Sequence, residues 1–216
     1  MTATATRFVF VRHGESDAQV QGYVAGHDTC KGLSDLGRTQ AGALRDRLTA
    51  SGELGDATVV YTSILPRAIE TAEIIAAGLG TDERTGTCGL CELHPGDVEW
   101  MDWADVMERH PRTGDPDDPF RRWLPGAETW ADMVTRVGTK LTELADAHAG
   151  ERIVVVAHGG TVGASFVVLG DAPMRQVASY THAAQNTSLT EWVQTSRGWR
   201  LVRFNDARHL ASSSPH

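Results

Sequence analysis

Lysine is nearly missing from this chain: of its 20 basic residues, only Lys31 and Lys140 are lysine. Arginine supplies the rest. Its fork suits bidentate anion capture, although a skew spread this evenly along the chain is more simply a matter of genome composition. Basic charge as a whole is also scarce, and against 28 acidic residues it leaves a net charge of −8 and a pI near 5.5. That average field repels a nucleic-acid backbone, so no nucleic-acid partner is expected. Long apolar runs are absent too, and none approaches the length of a bilayer span, so no membrane partner is expected. Three cysteines, an odd number, argue against a secreted disulfide scaffold and fit a reducing compartment. Met1 to Thr6 lacks the basic and apolar parts of a signal peptide, so the expected location is cytoplasmic.

What is present is enough for one well-buried core. At 216 residues the chain is short for two ordinary domains, and a single domain over 1–216 is expected. Phe8-Val9-Phe10-Val11, Thr58-Val59-Val60-Tyr61 and Ile153-Val154-Val155-Val156 are short continuous apolar runs, as in strands covered on both faces. Helical patterns follow them. Ser34 caps a helix running to about Ser51, with Ala41, Leu44 and Leu48 on one face and Gly52 as its stop. Pro66 opens a second helix, with Ile69, Ala72, Ile75, Ala76 and Leu79 as its stripe. Thr129 and Asp132 resemble a capping box ahead of Met133, Val134, Val137, Leu141 and Leu144, and Thr161 to Leu169 forms the helix after the Val-rich strand. Ser188 to Val193 and Trp199 to Phe204 flank a Thr-Ser-Arg-Gly turn and read as an edge hairpin. Repeated strand-loop-helix units predict an α/β fold, a three-layer α/β/α sandwich with a mostly parallel central sheet.

Pro95 to Ala127 breaks this pattern. It is rich in acids, prolines and bulky aromatics (Trp100, Trp103, Phe120, Trp123), with Arg121 and Arg122 side by side and a short helical stretch near Trp103 to Arg109. A long excursion inside a compact domain is usually functional, so residues 95–127 are expected to form a lid over the sheet's carboxyl edge.

Ligands of open α/β sheets collect beyond the carboxyl ends of the strands, where helix amino termini favour anions. Arg12 and His13 follow the first strand, Arg67 the second, and His158 the Val-rich one. A lone Arg is usually solvated and a lone His often a satisfied core residue. Four such residues at three strand ends instead suggest a dianion trap containing a nucleophile.

These residues resemble those of the histidine phosphatase superfamily, in the branch of the phosphoglycerate mutases and broad phosphatases. The resemblance rests on Arg12-His13-Gly14-Glu15-Ser16, Leu33 to Arg38, Ser63 through Arg67-Ala68 to Thr71-Ala72, and Leu90-Cys91-Glu92 with Gly96 and Glu99. It continues through Pro125 to Thr129, Ala157-His158-Gly159-Gly160, Asn186-Thr187-Ser188 and Asn205 to Leu210, and so spans nearly the whole chain. It implies that His13 is the nucleophile, that Arg12, Arg67 and His158 hold the phosphoryl oxygens, and that Glu92 is the general acid. Ser16 and Gln19 are expected to bind phosphate. His182 and Asn186, in a loop expected at the active site, are candidate pocket residues.

Two positions depart from the family pattern. Gln19 stands where many members have Asn, and Glu99-Trp100 stands where the acidic motif usually ends Glu-Gly. Trp100 is therefore expected to shape the substrate pocket, with Trp103, Phe120 and Trp123 beside it and Arg121 and Arg122 as a second anion contact. Cys88-Gly89-Leu90-Cys91 has redox spacing, and His94 offers a third metal ligand. A structural zinc site needs four, and no second pair lies at suitable spacing, so no metal is expected. No cofactor is expected either.

The implied function is metal-independent hydrolysis of a small-molecule phosphomonoester through phospho-His13. Three rivals stand beside it: a phosphoglycerate-type mutase, a protein phosphohistidine phosphatase, and a catalytically silent binding module of the same fold. The mutases share an insert this chain lacks, the aromatic excursion restricts protein access, and the intact catalytic set counts against a silent module. The sequence leaves the substrate and the oligomeric state open, a homodimer included.

Overall fold

Alternation along two central strands builds the three layers. The computed structural model of the protein describes residues 5–213, so residues 1–4 of the amino-terminal stretch read above, and His216, lie outside it. In β1 (Arg7–Arg12) and β4 (Arg152–Ala157), which pair in parallel from Arg7 with Arg152 to Arg12 with Ala157, successive side chains enter opposite cores. Phe8, Phe10, Ile153 and Val155 meet one layer of helices. Val9, Val11, Val154 and Val156 meet the other.

The first layer consists of α5 (Trp130–Ala147), α6 (Gly159–Val168) and α7 (Val177–Ala183); the second of α2 (Asp35–Ser51) and α3 (Pro66–Ile75). Leu44 and Leu48 of α2 are fully buried, and a side chain of that size contributes about 1.5–3 kcal/mol on leaving water. The six-stranded sheet has the order β3-β2-β4-β1-β5-β6, with β2 (Val59–Thr62) and β3 (Thr85–Gly86) parallel to the centre. The antiparallel hairpin β5 (Leu189–Thr195) and β6 (Gly198–Asp206) closes the other edge. The α/β fold expected from the sequence is thus the one observed.

Local signals act as expected. Ser34 caps α2 through its side chain, and Gly52 ends it in the left-handed region at φ 64°. Thr129 and Asp132 form a reciprocal capping box on α5. The buried face of α3 keeps Ala72 and Ile75 of the predicted stripe, with Leu79 packed against the same core beyond the helix, but departs from it at Ile69. Ala68, Thr71, Ala72 and Ile75 face inward while Ile69 is exposed, because the helix turns Arg67 into the interior and the rest of its face follows at helical spacing. One strand and two α-helices were not read from the sequence: the two-residue β3, the five-residue α1 (Asp17–Gln21), and α7, whose buried contribution is Val177 alone.

The 95–127 excursion contains α4 (Trp103–Arg109) and encloses a small core of its own, in which Val98, Val106, Leu124 and Ala127 pack with Val24. Its root pairs with the segment after α1 (Asp17–Gln21): the Val24 N–H donates to the Met101 carbonyl, the Trp100 N–H to Val24 and the Trp103 N–H to Gly22. Those bonds pin the root of the excursion to the segment after α1.

Candidate active site

At the end of β1 the chain turns sharply, and two glycines permit it. A Cβ on Gly14 would lie 2.5 Å from the Gly37 carbonyl oxygen, and one on Gly37 would lie 2.0 Å from that of Glu15. This backbone contact seats the loop after β1 on the first turn of α2. The Gly14 N–H donates to Thr71 Oγ1 (3.1 Å), which itself donates to the Arg67 carbonyl (2.7 Å), so the loop and α3 are joined.

His13 is buried, and its two ring nitrogens are in different states. Nδ1 donates to the Gly14 carbonyl at 2.6 Å, which leaves Nε2 as the lone-pair nitrogen, and Arg67 Nε donates to it at 3.2 Å. Burial, reinforced by the positive fields of Arg67 and Arg12, pushes the His13 imidazole well below its ordinary 6.5. The ring is therefore neutral at neutral pH, with its lone pair aimed among guanidiniums.

His158 lies behind it. Its ring stands edge-on to His13 with centroids 5.1 Å apart; it is fully buried, and neither nitrogen has a hydrogen-bond partner among the described residues. Burial first, then Arg67, His13 and Arg12, lower its pKa well below the ordinary value too. Arg12 donates through Nη1 to the Ala184 carbonyl, while its buried Nε is unpartnered. Burial lowers its pKa, opposed by Glu92 and assisted by Arg67. Two side chains beside one imidazole, Arg12 and His158, thus carry buried nitrogens without a partner among the described residues, which an oxyanion ligand would complete.

Glu92 approaches from the segment after the single turn Cys88–Leu90. Its Oε2 accepts from the Gly160 N–H (3.1 Å) at the start of α6, and its Oε1 from the Leu93 N–H (2.9 Å). Ser16 and Gln19 form a capping box on α1, in which the Gln19 amide oxygen accepts from the Ser16 N–H at 3.0 Å. The extra methylene of Gln19 thus lets its oxygen fold back on the cap.

Arg12, His13, Ser16, Gln19, Arg67 and Glu92 line the floor of one cavity of about 440 Å³. Its far wall comes from the excursion and from α5 and α7: Trp103, Arg112, Arg121, Trp123, Trp130 and His182. Arg112 lies over the Trp123 ring at 4.2 Å. Arg112 and Trp130 were not singled out from the sequence; the cue available was their place in or beside an aromatic, basic excursion.

Several expected pocket residues lie elsewhere. Trp100 is 54% exposed, stacks on Tyr23 with centroids 5.3 Å apart, and has Lys31 Nζ 5.0 Å from its ring. It does not line the cavity: its backbone is left-handed, at φ 71°, and its indole lies against the Tyr23 ring instead. Phe120 is exposed, and Arg122 is turned toward the Ala127 carbonyl and Asp132. Asn186 is outside the cavity as well, with its side-chain amide donating to the His13 carbonyl at 2.9 Å.

Comparison with known proteins gives the family. The sequence model of the histidine phosphatase superfamily (branch 1) matches residues 8–207, and the chain belongs to that family. Its reaction class is accordingly phosphoric monoester hydrolysis. It is 35% identical over 206 residues to phosphoglycerate mutase-like protein 4 of Arabidopsis thaliana, covering 94% of this chain and 86% of that protein. It is 29% identical over 210 residues to a metal-independent phosphoserine phosphatase of the same plant, covering 96% and 84%. Among solved structures, a mycobacterial glucosyl-3-phosphoglycerate phosphatase superposes with a TM-score of 0.76 at 27% identity, over 94% of this chain and 99% of that one. No helix among the described residues is long and apolar enough to cross a membrane.

Proposed function

We propose that the protein hydrolyses a small-molecule phosphomonoester in two steps through a phosphohistidine at His13. The reading is carried by the His13 ring itself, held by Gly14 at Nδ1 and offering the Nε2 lone pair beside Arg67. That lone pair attacks phosphorus as the ester P–O bond breaks, and Glu92 gives its proton to the departing alkoxide. Water then attacks the phosphohistidine, the N–P bond breaks, and Glu92 takes the water's proton as phosphate leaves. Arg12, Arg67 and His158 hold the three phosphoryl oxygens through both steps, where charge stabilisation rather than covalent chemistry lowers the barrier.

The far wall supports a substrate class. Three indoles (Trp103, Trp123 and Trp130) offer flat apolar surface, and the guanidiniums of Arg112 and Arg121 add positive charge to the same cavity. A phosphomonoester with a carboxylate or other second anion, on a body large enough to pack against a ring, fits that wall. Phosphoserine and glucosyl-3-phosphoglycerate, named for two similar proteins, each carry such a carboxylate.

The test is direct detection of the intermediate. Rapid quenching with labelled substrate should trap an acid-labile, base-stable phosphoenzyme, and His13→Ala should lose both label and turnover. Turnover without any phosphoenzyme, or label that survives in His13→Ala, would remove His13 from the nucleophile role.

A further inference from the structure

The Cys88–Cys91 pair falls short of a metal site by sequence spacing, but folding brings a fourth ligand from 61 residues away. The ligand atoms of His27, Cys88 and Cys91 all lie within 4.8 Å of one another. His27 Nε2 is 3.2 Å from Cys88 Sγ, and His94 Nε2 is 3.5 Å from the same sulfur. The two imidazoles stand edge to face, with centroids 4.8 Å apart. In tetrahedral zinc coordination, with Zn–S about 2.3 Å and Zn–N about 2.0–2.1 Å, neighbouring sulfur and nitrogen atoms stand about 3.6 Å apart. Both observed separations lie at or slightly under that edge.

We propose that His27, Cys88, Cys91 and His94 bind one zinc ion as a closed structural site, separate from the phosphate cavity, which none of the four lines. Two thiolates and two imidazoles form a soft-to-borderline set that selects zinc over magnesium or calcium. Both thiols release their protons to solvent on binding, and the two resulting charges neutralise the dication.

The surroundings orient the ligands. His94 Nδ1 lies 3.5 Å from Glu128 Oε1, a carboxylate–histidine pair in which the carboxylate would favour a proton on Nδ1 and leave Nε2 for the metal. Glu128 is in turn fixed by Arg136, whose Nη2 reaches Oε2 at 2.6 Å. The same guanidinium donates through Nη1 to the carbonyls of Cys88 (2.9 Å) and Cys91 (3.1 Å), so the Cys-x-x-Cys turn has its shape before any ion arrives. His27 is exposed, Cys88 half-buried and Cys91 buried, which gives an ion a path from solvent. The His27 and Asp28 N–H groups both donate to Glu99, at 3.0 and 3.3 Å. Zinc would therefore tie the 26–29 loop to the segment whose next residue, Glu92, stands in the cavity wall.

The test uses untagged full-length protein and readouts independent of turnover. Protein from zinc-supplemented cells should contain one zinc per chain. The stripped protein titrated with cobalt(II) should show thiolate-to-cobalt charge transfer in the near ultraviolet and the intense visible bands of a tetrahedral site, saturating at one equivalent. Cys88→Ser/Cys91→Ser should lose both, and zinc should raise Tm in the wild type and not in that variant. His27→Ala, a surface change that leaves the core untouched, should keep the fold by circular dichroism while weakening cobalt binding about tenfold or more. Absence of the charge-transfer band at stoichiometric cobalt, or equal metal uptake by the double serine variant, would overturn the site. So would a Cys88–Cys91 disulfide as the resting state of the freshly isolated protein.

Discussion

Gly160 offers a way to move Glu92 without changing it. A Cβ built on Gly160 lies 2.0 Å from Glu92 Oε1 and 2.5 Å from Met133 Cε, so Gly160→Ala must push the carboxylate aside by about 1 Å or more to reach ordinary contact. The Met133 side chain can yield, at the about 1–3 kcal/mol typical of overpacking, so the variant should fold with a lowered Tm. A 1 Å displacement of a positioned group costs about a hundredfold, and a general acid as a whole contributes about 10²–10⁴-fold. Alkyl phosphate hydrolysis, followed as released phosphate, should therefore fall about a hundredfold in kcat. p-Nitrophenyl phosphate, whose leaving group departs without a proton, should fall far less. Glu92→Gln should show the same split, and combining the two changes should cost little beyond Glu92→Gln alone, since both act on one group. If Gly160→Ala slows both substrates equally, or if the two losses multiply in the double variant, Glu92 is not the acid and the bond from the Gly160 N–H serves only the fold.

Three other outcomes follow from the same structure. Arg112→Ala should raise KM about tenfold for phosphomonoesters with a second anion and leave p-nitrophenyl phosphate nearly unchanged; a uniform change across a substrate panel would place Arg112 outside recognition. Trp100→Gly should leave the ranking of substrates intact, because Trp100 packs outside the cavity and glycine accepts its φ of 71°; a reordered panel would return Trp100 to the pocket. Stability should fall with pH first through the histidines. His13 and His158 are held well below 6.5 and His209 at about 4, so below about pH 6.5 the unfolded chain takes up protons that the folded one refuses, each costing up to about 1.4 kcal/mol per pH unit. Glu53 and Asp206, lowered to about 2 by burial-opposed bonding to Arg47 and its neighbours, add their loss only below their ordinary values near 4. Denaturant midpoints that stay flat from pH 7 to 5 would contradict this order.

The site and the fold were unequally legible in the sequence. Arg12, His13, Arg67 and His158 were readable because each directly follows or begins an element whose own signal is local: an apolar run, a proline at a first helical turn, a Gly-Gly helix start. The same holds for the Ser34, Gly52 and Thr129 caps, where hydrogen bonds span only three or four residues. The strand β3 and the helix α7 were not legible, since a two-residue edge strand and a helix burying one valine carry almost no periodicity.

Which aromatic and basic residues of the excursion face the cavity was decided only in three dimensions. Nothing in the one-dimensional order separates Trp100, stacked outside on Tyr23, from Trp103 and Trp123 on the inner wall, or Arg122, tied to Asp132, from Arg121. The meeting of His27 with Cys88 is of the same kind. Local chemistry fixes caps, strands and the residues at their ends, because the interacting atoms are neighbours along the chain. Contacts made across 60 residues or more depend on how the layers pack and where the excursion is pinned, and those are properties of the folded molecule alone.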